Sequence, residues 1–319
     1  MAIVLKGAWK PFRQDFENDI ANFRRHQKHV EKEASLAHMI EAAKAHEIGL
    51  ARRALEIRNT KLKRRHEILV ALRTIDYEAK HMRLSGQRHP GTYTWLKDHP
   101  LFQPWISSPI STCLTCYGIP GSGKSVLAAT IPTFLSGHLH PKSIFCYYYC
   151  DYSDANSLDP IYIVDSLIKQ IIIQLPLEQF DERLSNPFGD GKPPPILEER
   201  KKFLSNGLKY FKNFFLVMDG LDELAQVNQG VIMNLIKDLL QQTSSIARIF
   251  VTSRPEEYFI KNALRTHPSF VLSSSVVTSD IQEYIGSMID AMAEYHHLLK
   301  TDSWKTEVTR ALITGAQGL

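Results

Sequence analysis

The spacing of apolar residues divides the chain into a helical first part and an alternating α/β second part. From about residue 11 to residue 84, large apolar residues recur three and four positions apart, as at Phe12, Phe16 and Ile20. This spacing places apolar side chains on one face of an α-helix. Helix-forming residues dominate and no proline lies between Phe12 and Arg88, so we predict long helices here.

After Ser111 the pattern changes to short apolar runs that alternate with helical stretches. The predicted strands are Thr112–Tyr117, Ile144–Tyr149, Phe214–Met218, Arg248–Thr252 and Phe270–Ser273. The predicted helices are Ser125–Leu135, Pro160–Gln174, Gly230–Gln242 and Asp280–Leu298. Apolar strands that alternate with helices need cover on both faces of their sheet. We therefore predict a three-layer α/β/α fold with a mostly parallel five-stranded sheet, preceded by an α-helical N-terminal region.

An aromatic, proline-rich segment, GTYTWLKDHPLFQPWI, joins the two parts. Large aromatic side chains gain most from burial, so we expect Trp95, Phe102 and Trp105 to pack on the following domain. The alternative is that this segment lines a pocket for a base. Either way, the segment is interpreted as a docked linker.

Composition favours a globular protein of a reducing compartment. The 319 residues are 44% hydrophobic, which is enough for a sizeable core, and four cysteines are too few for a disulfide scaffold. The N-terminus has no apolar stretch long enough for a signal peptide. The most apolar helical stretch is interrupted by Asp165 and Lys169, which argues against a membrane span. The expected location is the cytosol.

The net charge of +4 is unevenly distributed along the chain. Residues 1–90 hold 19 Lys/Arg against 11 Asp/Glu, whereas the rest holds 19 against 23. A basic arm can meet nucleic acid or anionic lipid. Because acids are interleaved with the basic residues, we favour a solvated helical arm, and nucleic acid is not the expected partner.

The stretch GIPGSGKS fits the phosphate-loop pattern G-x-x-x-x-G-K-[ST] in full. It follows a predicted strand and precedes a predicted helix, which is the context that the pattern requires. Backbone N–H groups of such a loop surround a phosphate at the positive end of the helix. The candidate nucleotide-binding residues are Gly118, Ile119, Pro120, Gly121, Ser122, Gly123, Lys124 and Ser125. Lys124 would reach the β- and γ-phosphates, and the Ser125 hydroxyl would bind Mg²⁺.

A second acidic element and an arginine complete the predicted site. The strand in FFLVMDGLDEL ends at Asp219, which we expect on the magnesium side of the nucleotide. Gly220 stands where many ATP hydrolases carry a second acid, so Asp222 or Glu223 would position the attacking water; capping of the next helix is the alternative. Arg254 follows another strand and could read the γ-phosphate, or pair with a nearby glutamate at the surface.

These three elements together resemble the NACHT branch of the STAND-type signal-transduction NTPases. GIPGSGKSVLAA is similar to its phosphate loop, VMDGLDEL to its extended acidic motif and FVTSRPE to its first sensor. The lead-in GTYTWLKDHPLFQPWI and CDYSDANSLDP look like the nephrocystin-type NACHT modules of fungal NLR-like receptors. The resemblance covers about Gly91 to Leu319.

The resemblance implies an ADP/ATP switch in signalling of the innate-immune type, with self-association through the nucleotide domain and an effector that the sequence does not name. It also implies a P-loop NTPase fold, in which Asp222, Glu223 and Arg254 act on the γ-phosphate. The implied divisions are a basic helical region (1–90), a linker (91–110), a NACHT domain (111–299) and the start of a truncated helical subdomain (300–319). Family members continue into a winged-helix region and sensing repeats, so this chain is expected to be a fragment, a truncated product or a partner-dependent piece.

Two other functions remain open at this stage. One is an ordinary P-loop ATPase, kinase or nucleic-acid motor, and the other is a scaffold that binds nucleotide without hydrolysing it. ATP is favoured over GTP by elimination, since no N-K-x-D motif is present. Cys113 and Cys116 are three apart on a predicted strand and so face opposite ways, which predicts buried apolar roles instead of a shared metal.

Overall fold

The computed structural model describes residues 2–135, 141–180, 184, 188, 195–242, 244–296, 306–308 and 310–312. The chain divides into two compact units, one up to Leu62 and the other from Lys63 onward. The domain boundaries predicted from the sequence stay predictions. Most of the predicted subdomain at 300–319 lies outside the described residues, as does Leu298 at the end of the last predicted helix.

The first unit consists of helix α1, which runs from Ala2 to Ala71 and so continues past the unit boundary. Ion pairs four residues apart, such as Arg13 with Glu17 at 3.2 Å, each add about 0.2–0.5 kcal/mol to helix stability. Every residue from 13 to 60 is exposed, so the described part of this unit has no buried core.

The second unit contains the remaining helices and all described strands. Its helices are α2 (Tyr77–Gly86), α3 (Phe102–Ser107), α4 (Lys124–Leu135), α5 (Pro160–Gln174), α6 (Leu197–Leu208), α7 (Gln226–Gln242), α8 (Tyr258–Ala263) and α9 (Ser274–His296). Its strands are β1 (Thr112–Tyr117), β2 (Ser143–Tyr149), β3 (Asn213–Asp219), β4 (Ile246–Ser253) and β5 (Ser269–Val271). The five predicted strands are thus confirmed to within a few residues at each end, whereas α6 and α8 were not predicted.

The five strands form one parallel sheet in the order β2-β3-β4-β1-β5. Strand β4 lies between β1 and β3, with Tyr117 opposite Ser253 and Met218 opposite Val251. The carboxyl ends of β1, β4 and β3 therefore meet at one edge of the sheet. This is the edge at which ligands bind in open α/β sheets.

The sheet is covered on both faces, because successive side chains of its strands point to opposite sides. Leu216 packs in the core that contains α5, whereas its neighbours Phe215 and Val217 pack in the core that contains α4. The predicted three-layer α/β/α class is confirmed, and it is the P-loop NTPase fold. The sheet is more regular than predicted, since every described strand pair is parallel.

The aromatic segment belongs to the second unit and packs against its sheet, as predicted. Trp105 and Phe102 are at most 2% exposed, and the Trp105 ring lies 6.1 Å from the Phe215 ring and 5.9 Å from the Phe250 ring, centroid to centroid. The Trp105 indole N–H donates to the Ile249 carbonyl at 3.1 Å, which satisfies its polar atom inside the core.

A search of the described helices for a membrane-spanning segment finds none with the length and hydropathy that a bilayer requires.

Candidate functional site

The phosphate loop lies between β1 and α4, and its backbone conformation requires glycine. Gly121 and Gly123 have φ values of +79° and +89°, in the left-handed region that other residues rarely adopt. At Gly118 an added Cβ would lie 2.5 Å from the Ser122 hydroxyl oxygen, so the Ser122 side chain would have to move. The Gly118 N–H donates to the Ser253 carbonyl at 3.1 Å, which fixes the start of the loop against β4.

Lys124 begins α4 and turns its ammonium back over the loop. Its Nζ donates to the carbonyls of Gly118 at 2.6 Å and Ile119 at 2.9 Å. Helix α4 carries no acidic residue in its first turn, so the positive end of its dipole is not offset there. The loop and Lys124 together form a concave, positively charged surface suited to an anion.

Asp219 ends β3 directly beside this loop, and hydroxyl groups fix its carboxylate. The Thr252 hydroxyl donates to Asp219 Oδ1 at 2.6 Å, and the Ser125 hydroxyl lies beside the same carboxylate. The Asp219 side chain is buried, and burial raises the pKa of its carboxyl group against the lowering effect of these two hydroxyl groups and the charge of Lys124. The two residues predicted to hold the metal, Ser125 and Asp219, are thus in contact.

Thr252 has a role that sequence reasoning missed. It occupies β4, between the strand of the phosphate loop and the strand of Asp219, and it is fully buried. Its hydroxyl also accepts the Gly220 N–H at 2.9 Å, so one side chain fixes both the carboxylate and the turn after it. A hydroxyl at the end of an otherwise apolar strand was the available signal.

Asp222 and Arg254 form an ion pair at the mouth of the site. Arg254 Nε lies 2.9 Å from Asp222 Oδ2, and the Arg254 backbone N–H donates to Asp222 Oδ1 at 3.2 Å. Asp222 is 4% exposed and Arg254 47%. The partner of Arg254 is thus Asp222, and the surface pairing with Glu256 or Glu257 that we had left open is not what the structure shows.

Glu223 faces a neighbouring loop. Its Oε2 accepts the Tyr152 N–H at 2.5 Å, and burial raises the pKa of its carboxyl group. A single 3₁₀ turn covers Leu221–Glu223, and α7 begins only at Gln226. Glu223 is thus held by the loop after β2 and Asp222 by Arg254, and neither position matches the helix cap considered as the alternative.

One cleft of about 390 Å³ brings these groups together. Among the predicted site residues, it is lined by Pro120, Gly121, Gly123, Lys124, Ser125, Asp219, Asp222, Glu223 and Arg254. Gly118, Ile119 and Ser122 belong to the loop but not to the lining. Leu84 and Gln87 also line the cleft, and no motif pointed to them because α2 lies outside the predicted nucleotide domain.

The four cysteines are free and buried, and the burial predicted for Cys113 and Cys116 is confirmed. Cys113 packs in the α5 core and Cys116 in the α4 core, so these two thiols lie on opposite faces of the sheet. Burial raises the pKa of the Cys113 thiol to about 12, which keeps it protonated at neutral pH. No cluster of metal-ligating side chains is found in the described part of the chain.

A comparison with protein families gives a match over the part of the chain that carries this cleft's predicted residues. The family model for the N-terminal region of nephrocystin 3 matches residues 91–254, just over half of the chain. That stretch runs from the lead-in segment to Arg254 and so contains every predicted site residue. Comparison with curated proteins gives no match.

Two solved structures are similar at low identity. The Cdc6p structure from Pyrobaculum aerophilum is 14% identical with a TM-score of 0.42, over 65% of this chain and 50% of that one. The Aeropyrum pernix ORC1 protein, in complex with DNA, is 14% identical with a TM-score of 0.37, over 69% of this chain and 55% of that one. This chain therefore spans about half the length of each. By its family match, the chain belongs to the nephrocystin 3 N-terminal family, which is NACHT-related.

Proposed function

We propose that this chain binds ATP and ADP with Mg²⁺ in the cleft and acts as a slowly hydrolysing nucleotide switch. The observation that carries the proposal is that Ser125 of the phosphate loop and Asp219 of β3 line the same cleft beside Lys124. A hydroxyl and a carboxylate at this edge, beside a lysine, are the groups that P-loop NTPases use for a metal-bound triphosphate.

The residues of the cleft fit both the phosphates of a nucleotide and Mg²⁺. The Ser122 hydroxyl is buried without a hydrogen-bond partner among the described residues, inside a loop whose glycines leave no side chain in the way. The oxygens of Ser125 and Asp219 are hard ligands of the kind that Mg²⁺ prefers. These two residues would hold the metal, which when bound would supply positive charge against the charge on the phosphoryl oxygens.

Slow turnover is expected from how the distal acids are engaged. Gly220 follows Asp219 and carries no carboxylate that could orient water. Asp222 is paired with Arg254, and Glu223 accepts the Tyr152 N–H, so either acid must change its partner before it can act on a water. We propose that Arg254 senses the γ-phosphate. The free energy of nucleotide binding would then be used mainly to stabilise one state of the switch, and less to lower the barrier to hydrolysis.

The test is to denature the purified chain and identify any released nucleotide by chromatography, then to measure melting temperature and turnover with added nucleotide. We expect bound ADP or a clear rise in melting temperature with ADP or ATP and Mg²⁺, and turnover on the order of 10⁻³ s⁻¹. Turnover of many per second would favour an ordinary ATPase. Stabilisation by both nucleotides without any turnover would favour a scaffold.

Replacing Arg254 by alanine should separate ATP from ADP. We expect ATP affinity to fall about 10-fold and ADP affinity to stay within about twofold, because only ATP offers the γ-phosphate. Displacement of a fluorescent nucleotide analogue measures both constants. Arg265→Ala, an exposed arginine outside the cleft lining, is the matched control. An equal loss for ATP and ADP would show that Arg254 does not read the third phosphate.

Replacing Asp219 by asparagine should remove the added stabilisation that Mg²⁺ gives the ATP complex. The ligand-free fold should stay intact. The raised pKa of Asp219 means that the folded state binds its proton more tightly than the unfolded state does. Its contribution to stability is present below the ordinary carboxyl pKa and is lost as pH rises through the raised one.

At neutral pH the asparagine variant should therefore be at least as stable as the parent without ligand, since its amide oxygen can still accept from Thr252. Melting curves at several pH values, with ATP and with or without Mg²⁺, test this. A variant that is strongly destabilised without ligand, or still stabilised further by Mg²⁺, would contradict the assignment.

A further inference from the structure

Tyr93, in the lead-in segment, has a backbone conformation that other contacts must hold in place. Its φ of +60° is the only positive value at a non-glycine residue in the described chain. For a bulky side chain this conformation costs on the order of 1 kcal/mol or more. Asp280 on α9 supports it, because Asp280 Oδ2 accepts both the Tyr93 N–H and the Trp95 indole N–H at 2.9 Å.

This conformation places the Tyr93 ring against the phosphate loop. The Tyr93 hydroxyl donates to the Gly123 carbonyl at 3.3 Å, and a Cβ added at Gly123 would lie 2.4 Å from the hydroxyl oxygen. Burial, with the charge of Asp280, raises the pKa of Tyr93 to about 12, so the hydroxyl remains a donor at neutral pH. Tyr93 thus closes the outer side of the loop where no other side chain fits.

The contact acts on a peptide group that matters for phosphate binding. The Gly123 carbonyl and the Lys124 N–H belong to one planar trans peptide and point in opposite directions. The carbonyl is held by two donors, the Tyr93 hydroxyl and the Leu127 N–H at 2.9 Å. A carbonyl held on the Tyr93 side fixes the Lys124 N–H toward the other side of the loop.

We propose that Tyr93 is a positioning residue for the phosphate cradle, acting through the Gly123–Lys124 peptide and anchored by Asp280 of α9. The inference rests on the proposed nucleotide binding and adds a residue that lies outside the phosphate-loop pattern. It also links α9 to the loop, since His89 Nε2 lies 2.9 Å from the Ser287 hydroxyl and fastens the same segment further along α9.

The first test is Tyr93→Phe, which removes the hydroxyl and keeps the ring. We expect the affinities for ADP and for inorganic pyrophosphate to fall by the same factor, about 3- to 10-fold, since one hydrogen bond is lost and the base is not involved. Calorimetric titration of both ligands measures this. Tyr258→Phe, at an exposed tyrosine on α8 outside the cleft lining, is the matched control and should leave both affinities unchanged.

The second test separates positioning from a general loss of stability. Asp280→Ala should weaken the binding of both ligands. Adding Tyr93→Phe to it should lower the affinities by a smaller factor than in the parent, because the ring is no longer held over the loop. In the ADP complex, hydrogen exchange of the Lys124 amide should be faster in Tyr93→Phe than in the parent. A melting temperature that falls without these changes would show a structural role only and overturn the inference.

The outcomes also separate this inference from the proposed function. Parent chain that binds both ligands, with Tyr93→Phe binding equally well, contradicts the role of Tyr93 alone. Parent chain that binds neither ligand, and behaves like Lys124→Ala, contradicts the proposed function and with it this inference.

Discussion

Replacing Lys124 by alanine should weaken the binding of ATP and ADP by about 100-fold or more. The ammonium group now rests on two loop carbonyls, so a phosphate would replace neutral acceptors by charged ones. Charge-assisted hydrogen bonds of this kind contribute about 1.5–3 kcal/mol each, and two decades of affinity correspond to about 2.8 kcal/mol. Calorimetric titration with ADP and with a non-hydrolysable ATP analogue measures the loss.

The ligand-free Lys124→Ala variant should melt within a few degrees of the parent, because its bonds to the loop carbonyls hold no buried charge in place. Lys237→Ala, at an exposed position on α7, is the matched control and should bind like the parent. If Lys124→Ala binds nucleotide as tightly as the control, the phosphate loop is not the nucleotide site. If it fails to fold, Lys124→Gln and Lys124→Met provide the same comparison.

Most of the sheet could be predicted from the sequence because β1, β3 and β4 are buried on both faces. Strands of this kind are largely apolar runs, and β3 and β4 end at Asp219 and Ser253, polar residues that mark the sheet edge. The phosphate-loop pattern then predicted that the C-terminal end of β1 and the N-terminal end of α4 lie at the site. Asp219 predicted the same of the C-terminal end of β3. Only the order of the strands, with β4 between β1 and β3, needed the structure.

Contacts between distant segments that share no motif could not be predicted. The only surface partners that the sequence suggested for Arg254, as the alternative to reading the γ-phosphate, were the glutamates nearest to it, but its partner is Asp222, which the sheet order brings close. Leu84 and Gln87 reach the cleft only because α2 packs beside α4 and β2. Spacing within one motif carries no information on pairings that the topology creates, so Thr252 and Tyr93 were missed for the same reason.

Asp165 is an example from the core of a pairing between distant segments that the sequence did not predict. In the sequence it was a charge that interrupted an apolar helix, and nothing indicated what would neutralise it. The structure places it on α5 without solvent exposure, in an ion pair with Arg200 on α6, a helix that was not predicted. Asp165 Oδ2 also accepts the Arg73 N–H at 2.8 Å, where the chain leaves α1.

Replacing Arg200 by alanine should therefore lower the free energy of unfolding by about 3–5 kcal/mol. Arg200 is 2% exposed, and it also donates from Nε to the Pro195 carbonyl at 2.9 Å. Its removal leaves a carboxylate buried with only the Arg73 N–H to solvate it, which is the costly way to break an internal ion pair. Urea unfolding, followed by circular dichroism, measures the change, with the exposed neighbour replaced in Lys202→Ala as the control.

A second substitution tests the physical reason and not only the size of the loss. Asp165→Asn alone should destabilise the parent, because it removes the charge that Arg200 needs. In the Arg200→Ala background the same change should instead restore about 1–2 kcal/mol, since it removes the unpaired buried charge and keeps an acceptor for the Arg73 N–H. This change of sign follows only if the cost comes from the stranded carboxylate. If Asp165→Asn destabilises both backgrounds equally, the loss in Arg200→Ala comes from its packing against Phe188 and its hydrogen bond to Pro195, and the ion pair adds little.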